Sequence, residues 1–96
     1  MRLANRRDAT HAEIQRALKL AGWTVYDTSR QGGDFPDLVI GARGRTILME
    51  CKTERRREST GQRDARTAWT GDAWIVARSG VEAVEAVAAT LAAFGH

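Results

Sequence analysis

Two carboxylates and one ammonium group stand at the ends of a pair of short apolar runs. Asp37 precedes the first run, and Glu50 and Lys52 follow the second. The turn-forming residues between the runs predict a β-hairpin. If Arg43 and Gly44 form a two-residue turn, Asp37 lies directly opposite Glu50, with the Cβ atoms about 5 Å apart on one face. Lys52 lies two residues beyond Glu50 and therefore shares that face.

Paired carboxylates beside an ammonium group are costly unless a divalent cation lies between them. The arrangement therefore indicates a metal-dependent phosphodiesterase site, whereas the alternative is a set of solvated charges at strand ends. Both faces of the predicted strands are apolar, which is typical of a buried central hairpin. Pro36 cannot donate a hydrogen bond to a sheet, so it marks the point where strand pairing stops and a ligand can enter.

The same residues resemble a known nuclease signature. Pro36-Asp37 followed by Glu50-Cys51-Lys52 resembles the PD-(D/E)xK motif. Over about residues 10–76, the chain is similar to the VRR-NUC (virus-type replication-repair nuclease) branch of that superfamily. The shared elements are a helix carrying Glu13, the pair Gly32-Gly33 before the Pro-Asp element, and a polar loop that leads from the Glu-Cys-Lys strand to Gln62.

This resemblance implies an α/β fold with a PD-(D/E)xK restriction-endonuclease-like core, in which helices flank a mixed β-sheet. It also implies a metal-dependent DNA endonuclease that is similar to Holliday-junction resolvases in size and fold. Apolar periodicity and capping residues predict helices at about 11–21, 61–69 and 81–94, with strands at about 23–26 and 74–77 on either side of the hairpin. The predicted order is αβββαβα, in one domain of residues 10–96 after a flexible N-terminus of residues 1–9.

Four residues are predicted to contribute metal ligands. Asp37 and Glu50 offer hard carboxylate oxygens that suit Mg²⁺, with Mn²⁺ able to substitute. The backbone carbonyl of Cys51 can add a ligand whatever its side chain is. The resemblance places Glu13 near the metal as well, although Thr10 and Glu13 also match a helix capping box.

Lys52 and Gln62 complete the predicted catalytic set with Asp37 and Glu50. Lys52 would orient the attacking water or stabilise charge on the phosphate, since neighbouring carboxylates favour its ammonium form. Gln62 matches the glutamine that such nucleases carry at the start of the helix after the Glu-x-Lys strand, where it could hold a water or a phosphate near the helix N-terminus. The alternative interpretation of Gln62 is an ordinary exposed helix residue.

The basic residues favour a polyanionic partner, which is DNA in this interpretation. The chain has 15 Lys and Arg residues and a formal net charge of +3. Arginine binds phosphate through two parallel hydrogen bonds, whereas lysine acts as a point charge. We therefore expect the arginines that follow the hairpin to contact nucleic-acid phosphates, although a solvated loop would have a similar composition. These residues are Arg55, Arg56, Arg57, Arg63 and Arg66.

Composition limits the cellular setting. No segment approaches the roughly 18 apolar residues needed to span a membrane, and the N-terminal residues lack the apolar core of a secretory signal. The single cysteine excludes an internal disulfide and fits a reducing cytosol, so a cytoplasmic protein is expected, in the host cytoplasm if it is phage-encoded. Cys51 itself is interpreted as a buried structural thiol.

The leading hypothesis is an endonuclease that acts on branched DNA, such as Holliday junctions or flaps, in phage or viral-type replication or repair. A homodimer would place two active sites on two strands, and Trp69 is the aromatic residue best placed for a dimer surface. Two alternatives stay open at this point. One is a general nicking or restriction-like nuclease on duplex DNA, and the other is a DNA-binding module without turnover.

Overall fold

The computed structural model describes residues 6–95, and the side chains of residues 7–95. The predicted order αβββαβα is confirmed, with a short 3₁₀ turn at Ser29–Gln31 between the first two strands. The elements are α1 (Arg6–Leu20), β1 (Thr24–Asp27), β2 (Leu38–Ala42), β3 (Arg45–Cys51), α2 (Thr60–Ala68), β4 (Ala73–Ala77) and α3 (Gly80–Ala93). Within residues 6–95, no helix combines the length and the apolar character that crossing a bilayer requires.

The four strands form one mixed sheet in the order β1-β2-β3-β4. β1, β2 and β3 are antiparallel neighbours, and β4 adds in parallel to β3. The hairpin register runs from Leu38 opposite Met49 to Ala42 opposite Arg45, which confirms the two-residue turn. Arg43 and Gly44 both have positive φ, 51° and 78°, as a type I′ turn requires.

The core lies between one face of this sheet and the two longer helices. Alternate residues of β2 and β3 point to that face, among them Leu38, Ile40, Ile47 and Met49, and all four are fully buried. α1 and α3 pack together over them through apolar side chains that include Ile14, Leu18, Val87 and Leu91. Each such side chain contributes about 1.5–3 kcal/mol when it is buried, and this packing fixes the hairpin on which the candidate site depends.

The first helix begins earlier than the sequence predicted. α1 starts at Arg6, so residues 6–9 are helical where a flexible segment was expected, and residues 1–5 lie outside the described part of the chain. Thr10 and Glu13 are therefore inside the helix, and the capping-box interpretation of this pair was wrong. Glu13 instead accepts a 2.7 Å hydrogen bond from the backbone amide of Gly80, at the start of α3.

α2 is stabilised by hydrogen bonds at its N-terminus and contributes no buried residue to the core. The Ser59 hydroxyl accepts a hydrogen bond from the Gln62 amide, and the Gln62 side chain accepts one from the Ser59 amide, both at 3.1 Å. This reciprocal capping box satisfies two amides that the first helical turn leaves free. No residue of α2 is buried. Leu48 and Glu50 lie on the face of the sheet opposite the core, and both are buried although no residue of α2 is.

Candidate metal and nucleic-acid site

Asp37 is positioned by the backbone on both of its sides. Its amide donates to the Met49 carbonyl at 3.0 Å, which ties it to β3, and its carbonyl accepts from the Thr28 amide at 2.8 Å. The Thr28 hydroxyl also donates to the carbonyl of Pro36 at 2.7 Å. The end of β1 and the body of β3 therefore hold the Pro-Asp peptide between them, at the edge where the hairpin pairing stops.

The Asp37 carboxylate meets the neighbouring strand directly. Its Oδ2 accepts a 2.8 Å hydrogen bond from the backbone amide of Cys51, one residue after Glu50. The side chain of Asp37 is half-buried. The two parts of the motif identified in the sequence are thus joined by a hydrogen bond as well as by the hairpin register.

Glu50 is the buried acid of this site. Its side chain is 0% exposed, and neither carboxylate oxygen has a hydrogen-bond partner among the described residues. Burial raises the pKa of Glu50 to about 7, and the nearby Glu58 and Asp37 carboxylates add to that effect while Lys52 opposes it. An ionised carboxylate buried without donors is costly, so this group favours either a proton or a cation.

Glu58 is a second acid at Glu50 that sequence reasoning missed. It forms two hydrogen bonds with the Arg66 guanidinium, at 2.8 and 2.9 Å, and its pKa is lowered mainly by this pairing. Since Arg66 favours the ionised form of Glu58, the negative charge of Glu58 disfavours ionisation of Glu50 and adds to the effect of burial on its pKa.

Lys52 and Gln62 line one cavity of about 270 Å³ beside the end of β3. The amide of Lys52 donates to the Ala77 carbonyl at 3.0 Å and so continues the pairing with β4. The other lining residues are Arg7, Gly33, Cys51, Thr53, Arg56, Arg57 and Ser59. The side-chain oxygen of Gln62 is already used in the α2 cap, so its amide NH₂ is the group left for a ligand.

The predicted arginines lie around two neighbouring cavities. Arg56 and Arg57 line the cavity with Lys52, whereas Arg63 and Arg66 line a neighbouring one of about 340 Å³ that also contains Arg57 and Glu58. Arg55 is exposed on the same loop. Arg66 pairs with Glu58 through its Nε and Nη2 atoms.

Arg78 holds the arginine-rich loop in place, and sequence reasoning missed it. Its Nη1 donates to the backbone carbonyls of Thr53, at 2.6 Å, and Arg56. Two carbonyls of one loop converge on a single guanidinium, so the path of residues 53–57 depends on a residue just beyond β4. Nothing in the local sequence links these positions, because they are far apart along the chain.

Glu13 is directed elsewhere. Its Oε2 is engaged by the Gly80 amide, and an added Cβ at Gly80 would lie 3.3 Å from that oxygen. This close approach ties α1 to the N-terminus of α3. The structure therefore places Asp37, Lys52 and Glu58 close enough to Glu50 to affect its pKa, and it gives Glu13 a contact of its own.

A different set of metal-ligating atoms meets on the core side of β3. His11, Asp37 and Cys51 each offer one ligand atom, and these atoms lie within 4.8 Å of one another. His11 also lies next to Asp27, with Nε2 3.4 Å from the Asp27 Oδ2. From the sequence, His11 is one of only three residues available as soft ligands for zinc, with Cys51 and His96, which argues against a structural zinc site, and its distance along the chain from the hairpin gives no sign of this proximity.

The comparisons with known proteins bear on the fold. The chain superposes on a solved structure titled "VRR_NUC domain" with a TM-score of 0.66 and 18% sequence identity, over 88% of this chain and 97% of the other. The sequence matches no protein-family model and no curated protein. The fold resemblance expected from the Pro-Asp and Glu-Cys-Lys motif is thereby confirmed, and the chain has the fold of a VRR-NUC domain.

Proposed function

We propose that this protein is a metal-dependent DNA endonuclease that hydrolyses phosphodiester bonds. The observation that carries the proposal is Glu50, a fully buried carboxylate whose two oxygens have no hydrogen-bond partner among residues 7–95. Such a group is unfavourable in a protein that does not use it. It lies two residues before Lys52, next to the end of β2 that Asp37 precedes, in a fold shared with a solved VRR_NUC domain.

The residues present fit a hard divalent cation. The free oxygens of Glu50, the remaining oxygen of Asp37 and the backbone carbonyl of Cys51 would hold it, and all of them are oxygen donors that suit Mg²⁺ or Mn²⁺. When bound, such an ion supplies activation of water and neutralisation of charge on the phosphate. The proton that Glu50 favours in the absence of metal is then lost, because a cation replaces it as the partner of the carboxylate.

The other side chains would bind and orient the substrate. Lys52 lines the cavity with Arg7, Arg56 and Arg57, so four cations border a space of about 270 Å³ that could receive a phosphate. Lys52 would also orient the attacking water. We propose that the NH₂ group of Gln62 contacts the same phosphate from the start of α2, where the helix dipole favours an anion.

Two further carboxylates are candidates for outer positions around the metal. Glu58 lies near enough to Glu50 to raise its pKa, and Arg66 fixes the orientation of Glu58 through two hydrogen bonds. Glu13, which the family resemblance suggested, has its Oε2 bound to Gly80. Only its Oε1 would remain for a metal or a water, so we place Glu58 nearer to the reaction than Glu13.

A preference for branched DNA, in a homodimer, is the finer part of the proposal. A chain of 96 residues offers little surface to embrace a branched duplex, and two copies would present one site to each strand. The sheet face opposite the core carries an apolar depression of about 390 Å³, lined mainly by Phe35, Leu48, Trp69 and Trp74. Phe35 is 50% and Trp69 41% exposed, so this depression is the surface we propose for the second copy.

The dimer is tested by measuring molar mass in solution by light scattering. Phe35→Ser and Trp69→Ser are expected to shift the protein to monomer, whereas Tyr26→Ser, which removes an aromatic that is 66% exposed on β1, leaves the mass unchanged. A wild-type mass of one chain at micromolar concentration would refute the dimer. We place the protein in the cytoplasm, in replication or repair of a phage or viral type.

The activity is tested with a labelled four-way junction and its linear duplex, with Mg²⁺, with Mn²⁺ and with EDTA. Glu50→Gln keeps the shape of the buried side chain and removes its charge, so it is expected to abolish cleavage. Glu54→Gln, on the exposed loop nearby, is the matched control and is expected to cut normally. Cleavage that survives in Glu50→Gln, or binding without cleavage under every metal, would overturn the endonuclease, and equal cutting of both substrates would overturn the preference for junctions.

A further inference from the structure

A second group of potential metal ligands lies on the other side of β3 from Glu50. Side chains alternate along a strand, so Cys51 points to the α1 face while Glu50 points to the opposite one. On the α1 face, the ligand atoms of His11, Asp37 and Cys51 lie within 4.8 Å of one another. Asp37, at the open end of the hairpin, takes part in both groups.

We propose that His11, Asp37 and Cys51 form a separate site for a borderline-soft divalent cation of the zinc class, and that an ion there withdraws Asp37 from the hydrolytic site. The inhibitory part of this inference rests on the proposed nuclease function, whereas the binding part does not. The protein would then be active with Mg²⁺ or Mn²⁺ and inhibited by low concentrations of Zn²⁺.

The ligand types distinguish this site from the one around Glu50. Imidazole nitrogen and cysteine sulfur favour zinc, whereas Mg²⁺ takes oxygen ligands almost exclusively. Three protein ligands with a water in the fourth position form a common tetrahedral zinc site. Ligand atoms bound at about 2.0–2.3 Å to one ion lie roughly 3.5 Å apart, so atoms within 4.8 Å of one another have to approach by at most about 1.3 Å. The thiol proton passes to solvent as the sulfur binds the ion.

The surroundings of His11 support the same conclusion. Its side chain is 17% exposed, and its Nε2 is buried without a hydrogen-bond partner among the described residues. The Asp27 Oδ2 atom lies 3.4 Å from that nitrogen, and Asp27 is itself held by the amide and hydroxyl of Ser29. A carboxylate beside one ring nitrogen is the usual outer contact of a metal-binding histidine, so with Asp27 beside Nε2, Nδ1 is the nitrogen that would bind the ion.

The decisive measurement is the absorption spectrum of the protein titrated with Co²⁺ as a probe for zinc. Cys51 is the single cysteine of the chain, so a thiolate-to-cobalt charge-transfer band can arise only from this site. We expect one Co²⁺ per chain, competition by Zn²⁺, loss of the band in Cys51→Ser, and at least about tenfold weaker binding in His11→Gln. Absence of the band in the wild type, or equal affinity in His11→Gln, would overturn the site.

Glu50→Gln separates this inference from the proposed function. That variant lacks the buried charge of the hydrolytic site but keeps all three side chains of the zinc-class site, so it should bind Co²⁺ with the wild-type spectrum. If the protein cleaves no DNA under any metal and still shows the band, the nuclease proposal fails and the site stands. Far-ultraviolet circular dichroism of each variant without metal shows whether it is folded.

The inhibitory link is tested by adding Zn²⁺ to Mn²⁺-dependent cleavage of the junction. The Zn²⁺ concentration for half inhibition is expected to rise at least about tenfold in His11→Gln relative to the wild type. Equal Zn²⁺ sensitivity of the two proteins would show that Asp37 is not withdrawn through this site.

Discussion

The carboxylate of Asp37 accepts a 2.8 Å hydrogen bond from the backbone amide of Cys51. This contact joins the residue that precedes β2 to the last residue of β3, and it uses Oδ2 while leaving Oδ1 for a cation. A backbone donor is present whatever side chain stands at position 51. The acid is therefore placed by the strand itself, which explains how a cysteine can occupy the middle of the Glu-x-Lys motif without disturbing the site.

Asp37→Asn separates charge from geometry at this position. The asparagine oxygen can still accept from the Cys51 amide, so the melting temperature should change little. The lost negative charge removes a metal ligand that is worth several kcal/mol in the transition state, and each 1.36 kcal/mol is about tenfold in rate. We expect metal-dependent cleavage to fall at least about 100-fold, and Asp64→Asn on exposed α2 serves as the control. Near-normal cleavage by Asp37→Asn would rule out Asp37 as a ligand.

The pKa of Glu50 predicts how stability depends on pH. Burial raises it from 4.5 to about 7, so between these values the folded protein binds a proton that the unfolded chain has released. Stability is then fully present below pH 4.5 and is lost as the pH rises toward and through 7. We expect the melting temperature of the metal-free protein to fall between pH 5 and pH 8, as measured by thermal unfolding in EDTA.

The same measurement has an internal control in Glu50→Gln. Glutamine cannot titrate, so this part of the pH dependence should disappear, and the variant should be more stable than the metal-free wild type at pH 8. Saturating Mn²⁺ should restore the wild type at pH 8, because a cation that binds the folded state stabilises it by mass action. A wild-type curve that stays flat in EDTA would mean that Glu50 is not the buried acid described here.

Glu58 contributes to the raised pKa of Glu50 and therefore to the pH at which stability is lost. Glu58→Gln removes a negative charge next to Glu50, so the pKa of Glu50 should fall toward its ordinary value. The midpoint of the stability loss in EDTA is therefore expected to move to lower pH than in the wild type. Glu54→Gln, on the same loop but exposed, should leave the midpoint in place. An unchanged midpoint in Glu58→Gln would indicate that the two carboxyl groups do not interact.

The fold could be predicted from local signals because the hairpin determines most of it. The two-residue Arg43-Gly44 turn and the apolar runs beside it specify the register of the hairpin. Each residue of β2 is therefore assigned its partner on β3. The start of α1 could not be read in the same way. Thr10 and Glu13 match a capping box in spacing, but the helix extends back to Arg6, and Glu13 is used by α3. Capping motifs report local preference, and a tertiary contact overrode it here.

The part of the candidate site that belongs to the hairpin could be predicted from the sequence. The positions of Asp37, Glu50 and Lys52 relative to one another follow from the two-residue alternation of side chains along a strand and from the length of the turn. Glu58 and His11 reach the site from a loop and from a helix, and sequence spacing carries no information on such approaches. Their contributions follow from tertiary packing, such as the pairing of Glu58 with Arg66 across the start of α2.

Arg57 is expected to contact DNA phosphate, since it borders both cavities next to the hairpin. Each phosphate contact releases counterions, and its loss lowers the slope of log affinity against log salt by about 0.9. Arg57→Ala should therefore weaken binding of junction and duplex alike and reduce the slope by about that amount, as measured by fluorescence anisotropy over a salt series with Ca²⁺ in place of Mg²⁺. Lys19→Ala at the far end of α1 is the control. If the slope of log affinity against log salt does not change in Arg57→Ala, Arg57 does not contact DNA phosphate.

The hairpin turn carries strain that a substitution can relieve. Arg43 has a φ of 51°, a left-handed conformation that costs an ordinary residue about 1–2 kcal/mol and that asparagine adopts more readily. Asn-Gly is also the preferred sequence of a type I′ turn. We expect Arg43→Asn to stabilise the protein by about 1 kcal/mol, which raises the melting temperature of a domain this small by about 4–8 °C. Gly44→Ala, at a φ of 78°, should do the reverse, and similar melting temperatures for the two variants would contradict a type I′ turn.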